Sequence, residues 1–190
     1  MYKKKETAIR NLHKHGKFWK PEYNLFRSDE EVALEAIKLN YSSIDFIDKK
    51  LLTKEFVYKA LEINPNVYAI LRNSANCKDD FKFLELSARY ERFMYFQGED
   101  VRSNKHLAMI SVHHNGGTLL HLSNELKNDK EVVLEAVKQK PYAINFASKE
   151  IQELCKGSDP AITLERLLLA EQLNCTLNVN SLSNKKRSKI

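Results

Sequence analysis

The amino-acid sequence predicts an all-α protein built from tandem short helical hairpins, a solenoid-like array with a capping segment at each end. Three observations predict this fold. A segment recurs about every 25 residues, its apolar residues have helical spacing, and helix-starting and helix-breaking residues fall at matching points of the copies. Self-similarity at a fixed period is the sequence signature of a repeat protein.

The repeat is clearest where residues 128–151 are compared with the segment one hundred positions earlier. Seven of the ten residues in 129–138 are identical to their counterparts in 29–38. Weaker copies lie between them at steps of 25 residues. We therefore predict five units, at 28–52, 53–77, 78–102, 103–127 and 128–152.

The first half of each unit has the pattern of an amphipathic helix. In the last unit the apolar residues recur at i, i+1, i+4 and i+5, which favours a helix over a strand: Val132, Val133, Ala136 and Val137. Two capping boxes mark the start of this helix in the first and last units, Ser28-x-x-Glu31 and Asn128-x-x-Glu131. The sequence thus places the N-caps at Ser28 and Asn128.

Breaking residues separate the two halves, since Pro65, Gly116-Gly117 and Pro141 fall at or next to the same point of their units. The second half, such as 144–151, again has helical spacing. A small residue recurs in it, which predicts close approach of neighbouring helices at that position: Ser74, Gly98, Ser123 and Ser148. A single hairpin cannot bury its apolar face alone, so the units are expected to stack.

These residues carry a resemblance to a known family. The pattern D-x-E-V-V-L-x-A-V-K, a turn, then A-I-x-F-A-S-x-E-I resembles the bacterial repeat called domain of unknown function 4116. The resemblance covers about 28–152, is strong in the first and last units and weak in 78–102. It implies tandem helical hairpins and, in several cases, proteins of host-associated bacteria. The resemblance implies no activity and no catalytic residues for this chain.

The N-terminal segment 1–27 is basic, with eight Lys and Arg against two acids. A helix is predicted over 6–15, and aromatic residues follow it before the first unit. We expect this segment to cap the first unit. The alternative is a basic, aromatic segment that binds nucleic acid, an anionic membrane or a partner.

At the other end, Ser158-Asp159-Pro160 is typical of a helix start, because proline is favoured in the first turn. We predict a C-terminal capping helix within 153–176 and a flexible basic tail over 177–190.

Charge and composition limit the classes of function. The net charge is +6, but 28–152 hold seventeen basic residues against nineteen acidic ones. A solenoid that binds nucleic acid would carry its basic surface on the repeats, so nucleic acid is an unlikely partner. No stretch is long and apolar enough for a membrane span, and no apolar signal core follows the N-terminus. Three cysteines without a paired motif favour a reducing, cytoplasmic location, and translocation into a host cell would need a route other than Sec.

Histidine supplies the main alternative chemistry. Four histidines gather in the fourth unit and could form a metal site or a small catalytic site: His106, His113, His114 and His121. Repeat register argues against this, because His106 and His113 replace solvent-facing residues and His121 replaces the aromatic Phe146. No cofactor-binding or catalytic motif is present, so we expect no cofactor, no metal and no catalytic residue.

The third unit departs most from the pattern, and 89–96 contain four aromatic residues and two arginines. Tyr and Arg are favoured at binding hot spots. We therefore expect a non-catalytic protein-interaction module, in the setting of a bacterial accessory or effector protein. The candidate binding residues are Tyr90, Arg92, Tyr95, His113 and His114.

Overall fold

The computed structural model describes residues 2–15, 26–72 and 80–187. These residues form short α-helices and 3₁₀ helices, which confirms the predicted all-α repeat fold. Two compact units, Met1–Phe93 and Met94–Ile190, divide the chain. The α-helices are α1 (Tyr2–His15), α2 (Glu30–Leu39), α3 (Lys54–Ile63), α4 (Tyr68–Leu71), α5 (Phe81–Ser87), α6 (Glu99–Arg102), α7 (Lys105–His114), α8 (Asn124–Lys127), α9 (Lys130–Gln139), α10 (Lys149–Leu154) and α11 (Pro160–Arg187).

Each of the five predicted repeats begins with one main helix, and these are α2, α3, α5, α7 and α9. The predicted stripe of α9 is buried as expected, with Val132, Val133 and Ala136 fully inaccessible to solvent. The same four register positions are buried in α2, α3 and α7. In the third repeat, α5 has only seven residues, which agrees with the weak pattern over 78–102.

The N-caps of the main helices lie one residue later than predicted in the first and last repeats. Asp29 Oδ1 accepts a hydrogen bond from the Val32 amide at 3.1 Å, and Asp129 Oδ1 accepts one from the Glu131 amide at 2.9 Å. The placement of the caps at Ser28 and Asn128 was therefore wrong. Both boxes contain an Asp as their second residue, and its negative charge is favoured at the N-terminus of a helix, where the helix dipole is positive.

Ser28 and Asn128 instead help to close their repeats. Ser28 Oγ donates to Asp48 Oδ2 at 2.9 Å, and Ser148 Oγ bonds to Asn128 Oδ1. A backbone hydrogen bond runs beside each pair, from the Asp48 amide to the Arg27 carbonyl and from Ser148 to Lys127. The fourth repeat has the same backbone bond, from Ser123 to Arg102. Each bond spans 21 residues and ties the end of a repeat to its beginning.

The second half of each repeat is not one helix, as the sequence predicted, but two shorter pieces. In the last repeat the 3₁₀ helix Pro141–Phe146 is followed by two extended residues and then by α10. Equivalent 3₁₀ helices begin the second half of the first, second and fourth repeats: Tyr41–Phe46, Pro65–Val67 and Gly116–His121. The predicted breakers Pro65, Gly116 and Pro141 are thus the first residues of 3₁₀ helices.

The small residues predicted to admit a neighbouring helix have another role. Ser123 and Ser148 are N-caps of α8 and α10, and Gly98 stands at the N-cap of α6. Ser74 lies outside the described residues. Close packing occurs instead at the seventh position after each main N-cap, where every residue is small and buried: Ala36, Ala60, Ser87, Ser111 and Ala136.

The terminal helices pack on the repeats next to them. In the first unit α1 contacts α2, Ala8 is buried, and Lys5 Nζ forms ion pairs with Asp29 at 2.9 Å and Glu31 at 2.7 Å. The aromatic residues between α1 and the first repeat lie mostly in 16–25, outside the described residues.

In the second unit α11 packs on α9 through the buried side chain of Leu164. This helix begins at Pro160, where the sequence places its start, but it ends later than the predicted span 153–176 and so includes Leu177, the first residue of the predicted tail. Residues 188–190 of that tail lie outside the described part of the chain.

Candidate interaction surface

The second unit carries three 3₁₀ helices that pack side by side in chain order. They are Met94–Phe96, Gly116–His121 and Pro141–Phe146, and each contacts the next. The last residue of each one occupies the same register, so Phe96, His121 and Phe146 form one row. The preceding residues Tyr95, Leu120 and Asn145 form a second row beside it.

Large apolar side chains on these rows, and Tyr142 at the start of the last 3₁₀ helix beside them, face solvent. Tyr95, Leu120 and Tyr142 are between 48% and 53% exposed, which is unusual for residues of their size. Phe96 is also exposed, and His121 and Phe146 are half-buried. We call this surface the aromatic ridge, and it comprises Tyr95, Phe96, Leu120, His121, Tyr142 and Phe146.

Ring contacts connect the members of the aromatic ridge. The Tyr95 ring centroid lies 5.0 Å from that of Phe96 and 5.4 Å from that of His121, both in edge-to-face geometry. The Tyr142 and Phe146 centroids are 6.0 Å apart, again edge to face. Such pairs are stabilising in addition to their buried area and fix the orientation of the rings.

Contacts beneath the aromatic ridge connect the 3₁₀ helices of neighbouring repeats. The Gly117 amide donates to Asn115 Oδ1 at 3.1 Å, and Lys140 Nζ donates to the same oxygen at 2.6 Å, so the 3₁₀ helices of two repeats share one side chain. Gly116 is buried where a Cβ atom would lie 2.2 Å from the Ala136 carbonyl oxygen. Only glycine permits this approach of the two repeats.

Positive charge borders the aromatic ridge at one end. Arg102 donates from Nε to the Met94 carbonyl and from Nη2 to the Tyr95 carbonyl, both at 3.3 Å. Burial lowers the pKa of His121, and the nearby charges of Arg102 and Lys127 lower it further. His121 is therefore neutral near pH 7.

Only one of the five predicted binding residues, Tyr95, lies on the aromatic ridge. Tyr90 and Arg92 belong to the first unit. Tyr90 is half-buried, with its ring 5.6 Å from that of Tyr68, and so it supports the core around Phe93. Arg92 is exposed.

The other two predicted residues, His113 and His114, end helix α7. Both are exposed, and their ring centroids lie 5.5 Å apart. His113 Nδ1 lies 2.6 Å from Glu135 Oε1 in the next repeat. This contact gives His113 a structural partner between neighbouring repeats.

The four histidines of the fourth repeat do not converge. His113 contacts His114, whereas His121 contacts Tyr95 on the aromatic ridge. Within 2–15, 26–72 and 80–187, no group of three or more His, Cys, Asp or Glu residues is arranged to hold a metal ion. In the same ranges, no helix has the length and apolar character needed to cross a bilayer.

Sequence reasoning missed Phe96, Leu120 and Tyr142. Phe96 and Phe146 share the register of Phe46, and this recurrence of a phenylalanine every 50 positions was a usable signal. The helical spacing of the second half does not show whether this position faces the core or the solvent. In a 3₁₀ helix of six residues, one side packs on the main helices and the other remains in solvent.

Comparison with known proteins agrees with this architecture. The family model described as "Domain of unknown function (DUF4116)" matches residues 29–74 and 104–152. Each matched segment covers two repeats and lies within one compact unit, and the third repeat is left out. No curated protein and no solved structure matched the chain. Since the two segments make up half of the 190 residues, the chain belongs to the family of proteins with DUF4116 repeats.

Proposed function

We propose that this protein is a non-catalytic interaction module and that the aromatic ridge is the surface that contacts a protein partner. The observation that carries the proposal is the exposure of Tyr95, Leu120 and Tyr142 on three 3₁₀ helices that pack side by side. Contiguous exposed apolar side chains of this size are costly in a soluble protein unless a partner covers them. Tyr is also among the residues most enriched at interface hot spots.

The chemistry of the aromatic ridge defines the partner. Its centre is aromatic and aliphatic, and Arg102 and Lys127 border it with positive charge. A complementary segment would present apolar side chains at the centre and carboxylates at the edge, because opposite charges at the rim favour association. The rings are already oriented by their mutual contacts, so little side-chain entropy is lost on binding.

The proposal also includes a cellular setting, which is a reducing, cytoplasmic compartment. Cys155 is buried, burial raises the pKa of its thiol, and Cys175 is exposed. Reduced thiols suit a cytoplasmic compartment. Because related repeats occur in proteins of host-associated bacteria, an accessory or effector role is the setting we propose, and lysates of a bacterium and of a host cell are the two sources to test.

The test is affinity capture from both lysates in reducing buffer. The full chain is compared with the double variant Tyr95→Ala, Tyr142→Ala and with the control Phe81→Ala, which removes an equally exposed aromatic ring from the first unit. The proposal expects a protein that is retained by the wild type and the control but lost with the double variant. Equal retention by all three proteins would contradict it.

A further inference from the structure

Helix α1 has the register of α7, the main helix of the fourth repeat, when the two are compared one hundred positions apart. The same distance relates the first repeat to the last. Four residues of 5–16 are identical to their counterparts in 105–116: Lys5, Ala8, His13 and Gly16. The repeated sequence therefore extends on the N-terminal side of the predicted boundary at 28.

Lys5 contacts the helix that follows it in the same way as Lys105 does. Lys5 Nζ lies 2.9 Å from Asp29 Oδ1 and 2.7 Å from Glu31 Oε2, which are the N-cap and the first turn of α2. Lys105 Nζ makes the equivalent ion pairs with the N-cap and the first turn of α9, at 2.7 and 2.6 Å. Because each lysine is near the start of its own helix, the two helices of each pair run in the same direction. Helix α1 thus lies on α2 as one main helix lies on the next.

The C-terminal helix α11 shows a different arrangement. Lys130 at the start of α9 pairs with Glu171, whereas Lys138 near the end of α9 pairs with Glu165 at 2.7 Å. Since Glu165 precedes Glu171 along α11, this helix runs antiparallel to α9. It covers the last repeat without continuing the parallel order of the main helices. Helix α11 is therefore a cap, and α1 differs from it in direction.

The burial of α1 also follows that of α7, with one difference. Ala8 is 4% exposed and its counterpart in α7 is fully buried, while Ile9 is half-buried, as is its counterpart. Two positions that are apolar in α7 are polar and exposed in α1, and they are Thr7 and Arg10. A polar outer face is typical of a repeat at the end of an array. It also explains why the apolar stripe of the other main helices is hard to recognise in α1.

The chain enters the first repeat as it enters the last one. The Asp29 amide donates to the Phe26 carbonyl at 3.0 Å, and the Asp129 amide donates to the Leu126 carbonyl at 3.2 Å. Phe26 and Leu126 are both buried. Because Leu126 lies at the end of the fourth repeat, Phe26 has the position of a buried residue that ends a repeat.

We propose that α1 is the main helix of a further repeat, which precedes the first predicted one. Lys5 is then the ion-pair partner of the next N-cap, and a phosphate-bearing ligand would have to displace two carboxylates to reach it. The proposal assigns α1 to the repeat array, in place of the separate cap and of the basic binding segment considered for 1–27.

An exchange of helix sequences within the full chain tests this register. In the first variant the sequence of 105–116 replaces 5–16. In the second variant the same sequence replaces 6–17, which turns its side chains by about 100° around the helix axis. Thermal unfolding followed by circular dichroism should place the first variant within about 4 °C of the wild type and the second at least about 8 °C lower. Equal melting temperatures of the two variants, or a larger fall in the first, would overturn the proposal.

A charge exchange tests the same register without replacing α1. Lys5→Glu sets three carboxylates together and should raise the unfolding equilibrium constant about three- to fivefold, and adding Glu31→Lys should recover most of this rise. Lys105→Glu with Glu131→Lys is the matched pair, and Lys49→Glu is the control at an exposed lysine of the first unit. The proposal is rejected if Lys5→Glu behaves like the control, or if Glu31→Lys recovers nothing while Glu131→Lys does.

Discussion

Gly116 is a residue where two repeats of the second unit approach closely. The backbone of the 3₁₀ helix passes over Ala136, so that a methyl group at Gly116 would overlap the Ala136 carbonyl. Gly116→Ala must displace backbone on one side, and overpacking of this kind costs about 2–3 kcal/mol of unfolding free energy. Chemical denaturation measures the loss. Gly98→Ala is the control, because nothing lies within 4 Å of its added Cβ, and a comparable loss there would refute the steric explanation.

Ser87 occupies the small, buried position of the third repeat, and its hydroxyl has no hydrogen-bond partner among the described residues. The equivalent residues Ala36, Ala60 and Ala136 are alanine. Ser87→Ala should therefore increase the unfolding free energy by about 1 kcal/mol, because a buried unsatisfied hydroxyl is removed. Ser111→Ala, at the same register but with a bonded hydroxyl, is not expected to stabilise. A loss of stability in Ser87→Ala would contradict the assignment.

His121 gives the protein a pH-dependent stability. Its folded pKa is lowered from 6.5 by burial and by Arg102 and Lys127, so the unfolded state binds more protons below that pH. This contribution is fully present above pH 6.5 and is lost as the pH falls toward the folded pKa. His121→Phe, which restores the residue of the equivalent repeats, should show a smaller fall in melting temperature between pH 7.5 and 5.5 than the wild type, about two pH units spanning the histidine range. Equal falls in the two proteins would exclude His121 as the source.

The main helix of each repeat is the element that the sequence predicts best. Its buried stripe repeats with a fixed register, and the four positions found in α9 are buried in α2, α3 and α7 as well. Its starting residue was less predictable, because Ser28-Asp29 and Asn128-Asp129 each offer two capping side chains in succession. A capping box is a local pattern, whereas the choice between adjacent caps depends on the bonds that close the repeat.

The corrected cap positions lead to a prediction for the first repeat. Asp29→Ala removes the bond to the Val32 amide and the ion pair with Lys5, and an N-cap loss costs about 1 kcal/mol. Ser28→Ala removes only an exposed bond to Asp48 and should cost about 0.5 kcal/mol or less. Parallel urea denaturation of the two variants compares them. A larger loss of unfolding free energy in Ser28→Ala than in Asp29→Ala would show that Ser28 is the N-cap.

The second half of the repeat was predicted less well, for a physical reason. Apolar residues such as Ile144 and Phe146 have a spacing that fits an α-helix, but Pro141 and Ala147 limit the segment to six residues of 3₁₀ helix. Such short segments depend on tertiary contacts, which a local pattern does not contain. The aromatic ridge lies on these segments, so its residues could not be assigned to the surface from sequence.

At the scale of the whole molecule, the sequence predicted the all-α repeat architecture and the number of main helices, because the period of about 25 residues spans the chain. It did not predict the division into two compact units at Phe93 and Met94. That division falls in the third repeat, where α5 has only seven residues. The family model matches one segment on each side of this division.

If the partner binds at the aromatic ridge, the residues of the ridge must supply part of the binding free energy. The direct measurement is a calorimetric titration of the purified captured partner with three proteins. These are the wild type, the double variant Tyr95→Ala, Tyr142→Ala, and the control Phe81→Ala. Loss of two hot-spot tyrosines should weaken binding by about 30-fold or more, while the Phe81 control should stay within about twofold of the wild type. Unchanged affinity in the double variant would contradict the account, because binding would then occur at another surface of the protein.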